Sequence, residues 1–128
     1  MTKLFILDDT RSIREALEDV ARAVEIPVVA FESGVKGLVY LRALEAEELP
    51  KAYFVDMKIV GGDEELASSE RIFDLVKEKG LVDRFYFMTA HLSSHDEKVI
   101  ARTGAQIMIK ERMDIFYRVI GELRNNQL

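Results

Sequence analysis

Five short apolar runs, each followed by a stretch whose apolar residues recur at helical spacing, leave this chain few ways to fold. The runs are Leu4–Leu7, Val28–Phe31, residues 53–55, residues 85–88 and Gln106–Ile109. Short runs without polar alternation read as strands buried on both faces, the signature of a parallel sheet. Between them lie amphipathic segments. The first, capped by Thr10, carries Ile13, Leu17, Val20, Ala21 and Val24. The second is capped by Ser33, carries Val35, Leu38, Val39, Leu41, Ala43 and Leu44, and ends before Pro50 with a solvent-facing acidic stretch at 45–48. Ser68 or Ser69 is expected to cap the third, with Ile72, Phe73, Leu75 and Val76 inward and Gly80 closing it. The fourth covers Ser94–Thr103 with Val99, Ile100 and Ala101 apolar and Gly104 as its stop, and the fifth covers 113–124.

Regular strand–helix alternation gives a parallel sheet covered on both faces. Right-handed crossovers then favour the doubly wound, flavodoxin-like strand order 2-1-3-4-5, a three-layer α/β sandwich. All 128 residues are expected to form one domain, without internal repeat or linker. In that order the first and third strands are neighbours at the switch point, where ligands bind beyond the carboxyl ends.

Those two strands end on carboxylates: Asp8 and Asp9 on the first, Asp56 on the third. A buried, unpaired Asp costs several kcal/mol, so these groups belong at the strand mouths, facing water, a metal or a cationic partner. Three clustered carboxylates repel, and a divalent cation relieves them. The fourth strand ends on Thr89 and the fifth on Lys110, which adds a hydroxyl and an ammonium to the rim. Such a rim suits phosphoryl transfer, where positioning and charge neutralisation matter most. The acids hold Mg²⁺, Asp56 is the nucleophile, Thr89 donates to a phosphate oxygen and Lys110 balances its charge.

Composition removes other classes. A net charge of −5 and a pI near 5.1 argue against direct nucleic-acid binding. The absence of cysteine excludes disulfides, thiol catalysis and Cys-ligated zinc, and fits a cytoplasmic location. No run approaches a membrane span and no signal peptide is evident.

Acidic pair Asp8-Asp9, acceptor Asp56 after Phe54-Val55, Thr89-Ala90 after a hydrophobic strand, and Lys110 after the fifth strand occur in order at the strand ends. In these features the whole chain resembles the receiver domains of two-component response regulators, the fold of the bacterial chemotaxis response regulator. The resemblance implies a phosphorelay switch that takes a phosphoryl group onto Asp56 from a histidine kinase or phosphotransfer protein. It also implies Mg²⁺ held by Asp8, Asp9, Asp56 and the backbone carbonyl of Lys58, with self-catalysed hydrolysis rather than enzymatic turnover. The face of the fourth helix, fifth strand and fifth helix would engage an output protein or a second copy of the chain.

Several positions depart from the family pattern. Glu111 follows Lys110 where receivers carry Pro, so a trans bond is expected there. Ile107 stands at the aromatic switch position, and Val60 at a usual Pro. The stretch 61–68 reads as an insertion, either a lid, a partner contact or a surface loop, whose last part could equally be an early turn of helix. Lys58 and His91 occupy positions that tune dephosphorylation in the family. These departures keep a second reading open, a pseudo-receiver serving as a protein-interaction module. A third, a phosphatase acting through an aspartyl phosphate, is disfavoured because adjacent Asp8 and Asp9 would point to opposite sides of a strand. His91 and His95 read as solvated surface, Arg11 and Arg14 as a solvated face that could alternatively reach the site mouth, and Gly61-Gly62 as a flexible turn rather than a phosphate loop.

Overall fold

The computed structural model describes residues 2–125. The chain's polar end at 126–128, which the sequence leaves open as a native terminus or a linker, lies outside them. Five parallel strands form one sheet: β1 (Leu4–Leu7), β2 (Val28–Phe31), β3 (Ala52–Asp56), β4 (Phe85–Thr89) and β5 (Gln106–Ile109), in the order β2-β1-β3-β4-β5. The helices are α1 (Arg11–Ala23), α2 (Gly34–Arg42), α3 (Asp63–Glu78), α4 (Ser94–Thr103) and α5 (Asp114–Arg124). The expected topology is therefore the observed one.

Pleating divides each central strand between two cores. Phe5, Leu7, Tyr53, Val55, Phe85 and Phe87 pack on one face with Leu38, Leu41, Ile72 and Val76 of α2 and α3. Leu4, Ile6, Phe54, Tyr86 and Met88 pack on the other with Leu17, Ala21, Phe116 and Val119 of α1 and α5. Cross-strand ring pairs run along the first face, Phe5 to Tyr53 at 5.5 Å and Tyr53 to Phe85 at 5.6 Å between centroids. The three central strands are wholly buried, whereas edge strand β2 is half-buried throughout. Val39 and Ala101, apolar members of the helical patterns, lie on the outside. No helix among the described residues is long and apolar enough to cross a membrane.

The third helix departs from expectation. It begins at Asp63, with Gly62 at its N-cap, and neither Ser68 nor Ser69 caps it. Both serines are buried inside the helix. Most of the supposed insertion is thus helix, which bears out the early-turn alternative for its last part, and the connection after β3 is only residues 57–62. The cause is a contact distant in sequence. Glu65 on the first turn accepts hydrogen bonds from Ser33 Oγ, Gly34 N–H at 2.8 Å and Val35 N–H at 3.3 Å, so its carboxylate closes the N-terminus of α2. The helices meet so closely that a Cβ on Gly34 would lie 1.8 Å from Ser68 Oγ. The other differences are small. α5 starts at Asp114 with Met113 at the N-cap, and the acidic stretch after α2 forms a short 3₁₀ turn, Ala46–Glu48.

Candidate functional site

The register of β1 and β3 pairs Leu7 with Val55, so the residues that follow, Asp8 and Asp56, emerge side by side. Asp8 is 0% exposed and Asp56 is 4% exposed. Asp9 joins them, and one carboxylate oxygen from each of the three lies within 4.8 Å of the others. The alternation argument that sent Asp8 and Asp9 to opposite sides does not hold, because β1 ends at Leu7 and both residues lie in the turn beyond it. Hydrogen bonds set that turn. Asp8 Oδ1 accepts from Thr10 N–H at 2.8 Å, and the Asp8 carbonyl accepts from the Arg14 guanidinium at 2.9 Å. Arg14 therefore supports the site's backbone instead of facing solvent. Arg11 stays outside, paired with Glu15. Asp9 Oδ2 accepts from Val60 N–H at 3.1 Å, which ties the two loops together.

Lys110 arrives from the far side of β4. Its backbone N–H donates to the Thr89 carbonyl at 2.8 Å, continuing the β4–β5 ladder past the last strand residue. From there its long side chain carries Nζ to 2.9 Å from Asp8 Oδ2 and 3.1 Å from Asp56 Oδ2. The Lys110 side chain is only 13% exposed, so this is a largely buried ion-pair cluster rather than a solvated edge charge. Among the described residues no peptide bond is cis, so the bond to Glu111 is trans as expected.

Burial pushes the Asp56 carboxyl up to about 6, and the neighbouring Asp8 charge adds to the rise. Lys110 and the Lys58 N–H, which donates to Asp56 Oδ1 at 3.1 Å, pull the other way without cancelling it. For Lys110 burial lowers the pKa, yet Asp56 and Asp8 outweigh it and the net shift is upward. Asp56 is therefore a carboxylate at neutral pH, but one under electrostatic pressure that a further cation would relieve. Three hard oxygen donors so placed fit a small divalent cation.

Thr89 and Asp56 line one concavity together with Asp9, Lys58, His91 and Lys110. The predicted rim residues Asp8, Asp9, Asp56, Thr89 and Lys110 thus all gather at one edge of the sheet. His91 and His95 are exposed, and it is the His91 carbonyl, not its ring, that accepts from Thr89 Oγ1 at 2.8 Å.

Two contributors escaped the sequence reading. Ser69, on the inner face of α3, donates to the Asp56 carbonyl at 2.6 Å and anchors the acceptor's backbone. Asp96, on the first turn of α4, is 0% exposed and accepts from Thr89 Oγ1 at 3.2 Å. The Ser93-x-x-Asp96 spacing carries a capping-box signal, and that box is present. No comparable pattern marks Ser69, which looks like any polar residue before an apolar helix.

No protein-family model matches the chain, and no curated protein does. Solved structures do. A response regulator receiver protein from Burkholderia phymatum shares 19% identity, with 98% of this chain and 96% of that one covered at a TM-score of 0.73. A CheY-like response regulator receiver domain protein from Methanospirillum hungatei JF-1 shares 16%, covering 100% and 99% at 0.72. The signal receiver domain of a modulated diguanylate cyclase from Desulfovibrio desulfuricans G20 shares 16%, covering 99% and 96% at 0.72. At such identities the likeness is one of fold, and with the strand order and register above it leads to one statement: this chain has the receiver-domain fold of two-component response regulators.

Proposed function

We propose that the chain, residues 1–128 as one receiver unit, is a phosphorylation switch in a two-component phosphorelay, with Asp56 as the acceptor. The observation that carries the reading is the buried cluster itself, with Asp56 beside Asp8 and Asp9 and Lys110 Nζ 3.1 Å from its carboxylate. A carboxylate oxygen of Asp56 forms the new O–P bond as the N–P bond of a phosphohistidine breaks, and the imidazole nitrogen keeps the electron pair. The donor would be a histidine kinase or phosphotransfer protein. Asp8, Asp9 and Asp56, with the backbone carbonyl of Lys58, would hold Mg²⁺, which when bound supplies positive charge to the phosphoryl oxygens. Lys110, already among the carboxylates, orients toward the incoming phosphoryl group and neutralises part of its charge. Thr89 has a hydroxyl to offer a phosphoryl oxygen once it releases its present acceptors. Hydrolysis of the acyl phosphate resets the switch.

Output passes through the face of α4, β5 and α5 to a protein partner or to a second copy of the chain, by a shift between two conformations. The reading places the protein in the cytoplasm, where phosphohistidine donors act, without direct contact to nucleic acid or membrane. The interaction-module reading keeps two specific supports, Ile107 in the place of a switching aromatic ring and Glu111 in the place of Pro after Lys110.

The test is incubation with Mg²⁺ and acetyl phosphate beside an Asp56→Asn control, followed by intact mass, with amide NMR of the beryllofluoride complex. A single-phosphate adduct missing from the control, with shifts reaching Lys110 and α5, is the expected result. Shifts confined to the acidic rim would mean that output coupling has been lost. No adduct and no Mg²⁺-dependent shift would sink the acceptor role and leave the interaction module.

A further inference from the structure

Thr89 is the rim residue whose hydrogen bonds lead toward α4. Its hydroxyl has one proton to give and two acceptors in reach, the His91 carbonyl at 2.8 Å and Asp96 Oδ2 at 3.2 Å. Asp96 is also held from its own side. Its Oδ2 accepts from Ser93 N–H at 3.1 Å, and its N–H donates to Ser93 Oγ at 3.1 Å.

A reciprocal cap of this kind is ordinarily solvated, and an Asp is almost never fully buried without a partner. Asp96 is 0% exposed all the same. The nearest cation is Lys58 Nζ at 3.9 Å, itself on the surface, and Asp96 Oδ1 is buried with no hydrogen-bond partner. Capping alone does not call for this burial, since a cap in water would close the helix as well. What burial adds is access to the Thr89 hydroxyl.

We infer that Asp96 is a positioning residue, which holds the Thr89 hydroxyl on the α4 side while Asp56 is unmodified and so ties the first turn of α4 to the state of Asp56. The inference rests on the phosphoacceptor reading of Asp56 and names how that site is regulated. A phosphoryl oxygen on Asp56 competes for the one proton of Thr89. Once that proton turns away, Asp96 is left with the Ser93 amide and a more distant ammonium, an unfavourable state for a buried carboxylate. Either the segment 91–93 and the start of α4 move, or Lys58 closes on Asp96. In both cases the change appears on the α4 face. Ile107, half-buried on β5, has no polar atom with which to follow Thr89, so this route does not depend on a ring at that position.

The test compares beryllofluoride affinity, in the presence of Mg²⁺, of the natural chain, Asp96→Ala, Thr89→Val and the double variant. Release of Thr89 is expected to tighten binding roughly fivefold in Asp96→Ala and to leave Thr89→Val unchanged when Asp96 is replaced in it. An equal change in both backgrounds would assign Asp96 a structural role only and overturn the inference. Asp96→Asn, which keeps a capping acceptor, is the variant to use should Asp96→Ala not fold, with a smaller shift of the same sign expected.

A second measurement does not depend on phosphorylation. Three-bond couplings of Thr89 in the unmodified protein are expected to report one χ1 rotamer in the natural chain and averaging in the Asp96 variants. Unchanged couplings overturn the inference. Failure of the natural chain to bind beryllofluoride strikes the acceptor reading instead, while the couplings still decide whether Asp96 positions Thr89.

Discussion

Two buried carboxylate sites lie at the same end of the sheet and are neutralised in opposite ways. At the mouths of β1 and β3, Asp8 and Asp56 are answered by a full charge, the Lys110 ammonium at 2.9 and 3.1 Å. At the start of α4, Asp96 is answered by a hydroxyl and an amide, with its nearest ammonium at 3.9 Å. The first arrangement has spare negative charge, three carboxylates around one ammonium, and is suited to take on a cation and a phosphoryl group. The second leaves one carboxylate oxygen, Asp96 Oδ1, buried without a hydrogen-bond partner and has no full charge in direct contact. It depends on a single movable proton, which suits a group that registers where Thr89 points. Burial of a carboxylate thus serves chemistry in one place and positioning in the other, and the difference lies in which donors surround it.

Removal of Lys110 should have the largest effect. Lys110→Ala leaves two adjacent buried carboxylates unpaired and is expected to lose about 2–4 kcal/mol of stability near neutral pH, read by chemical denaturation. A smaller loss than in Asp96→Asn would break the comparison. Asp56→Asn should act in the opposite direction. The folded-state pKa of about 6 lies above the ordinary 3.8, so ionisation of Asp56 opposes folding above about pH 6 and has no effect below about pH 4. Without divalent cations, Asp56→Asn is therefore expected to be more stable by on the order of 2 kcal/mol at about pH 8, the gain fading as the pH falls toward 4. An equal gain at both pH values would remove the electrostatic reading.

Gly34→Ala tests the packing that brings α3 beside α2 and so holds Ser69 beneath Asp56. With a Cβ 1.8 Å from Ser68 Oγ and 2.5 Å from its Cβ, the helices must separate, at a loss of about 1–3 kcal/mol. Asp96→Asn, which exchanges one acceptor for another, should lose less than about 1 kcal/mol, so that its effect falls on Thr89 rather than on stability. Smallest of all, Glu70→Gln removes an exposed pair with Arg102 between α3 and α4 and should change stability by less than about 0.5 kcal/mol. A larger change there would mean that exposed charges in this protein behave like buried ones.

Local pattern and strand-end chemistry carried most of what could be known in advance. The five strands, their order and the gathering of Asp8, Asp9, Asp56, Thr89 and Lys110 were legible because pleat and helix periods act within a few residues, and because handed crossovers leave one common topology. The start of α3 was not. The sequence leaves the last part of 61–68 open as an early turn of helix but sets the cap at Ser68 or Ser69, whereas α3 starts at Asp63, where Glu65 meets the amides of α2, some 30 residues away in sequence. The inward turn of Asp9, the support from Arg14 and the burial of Asp96 share that origin. Each depends on a partner supplied by another element, on distances of about 3 Å that the order of residues along a chain does not specify. Periodicity and residue type set the sheet and the chemistry at its rim. Which donor answers each carboxylate, and so what each carboxylate does, was settled when the strands and helices packed against one another.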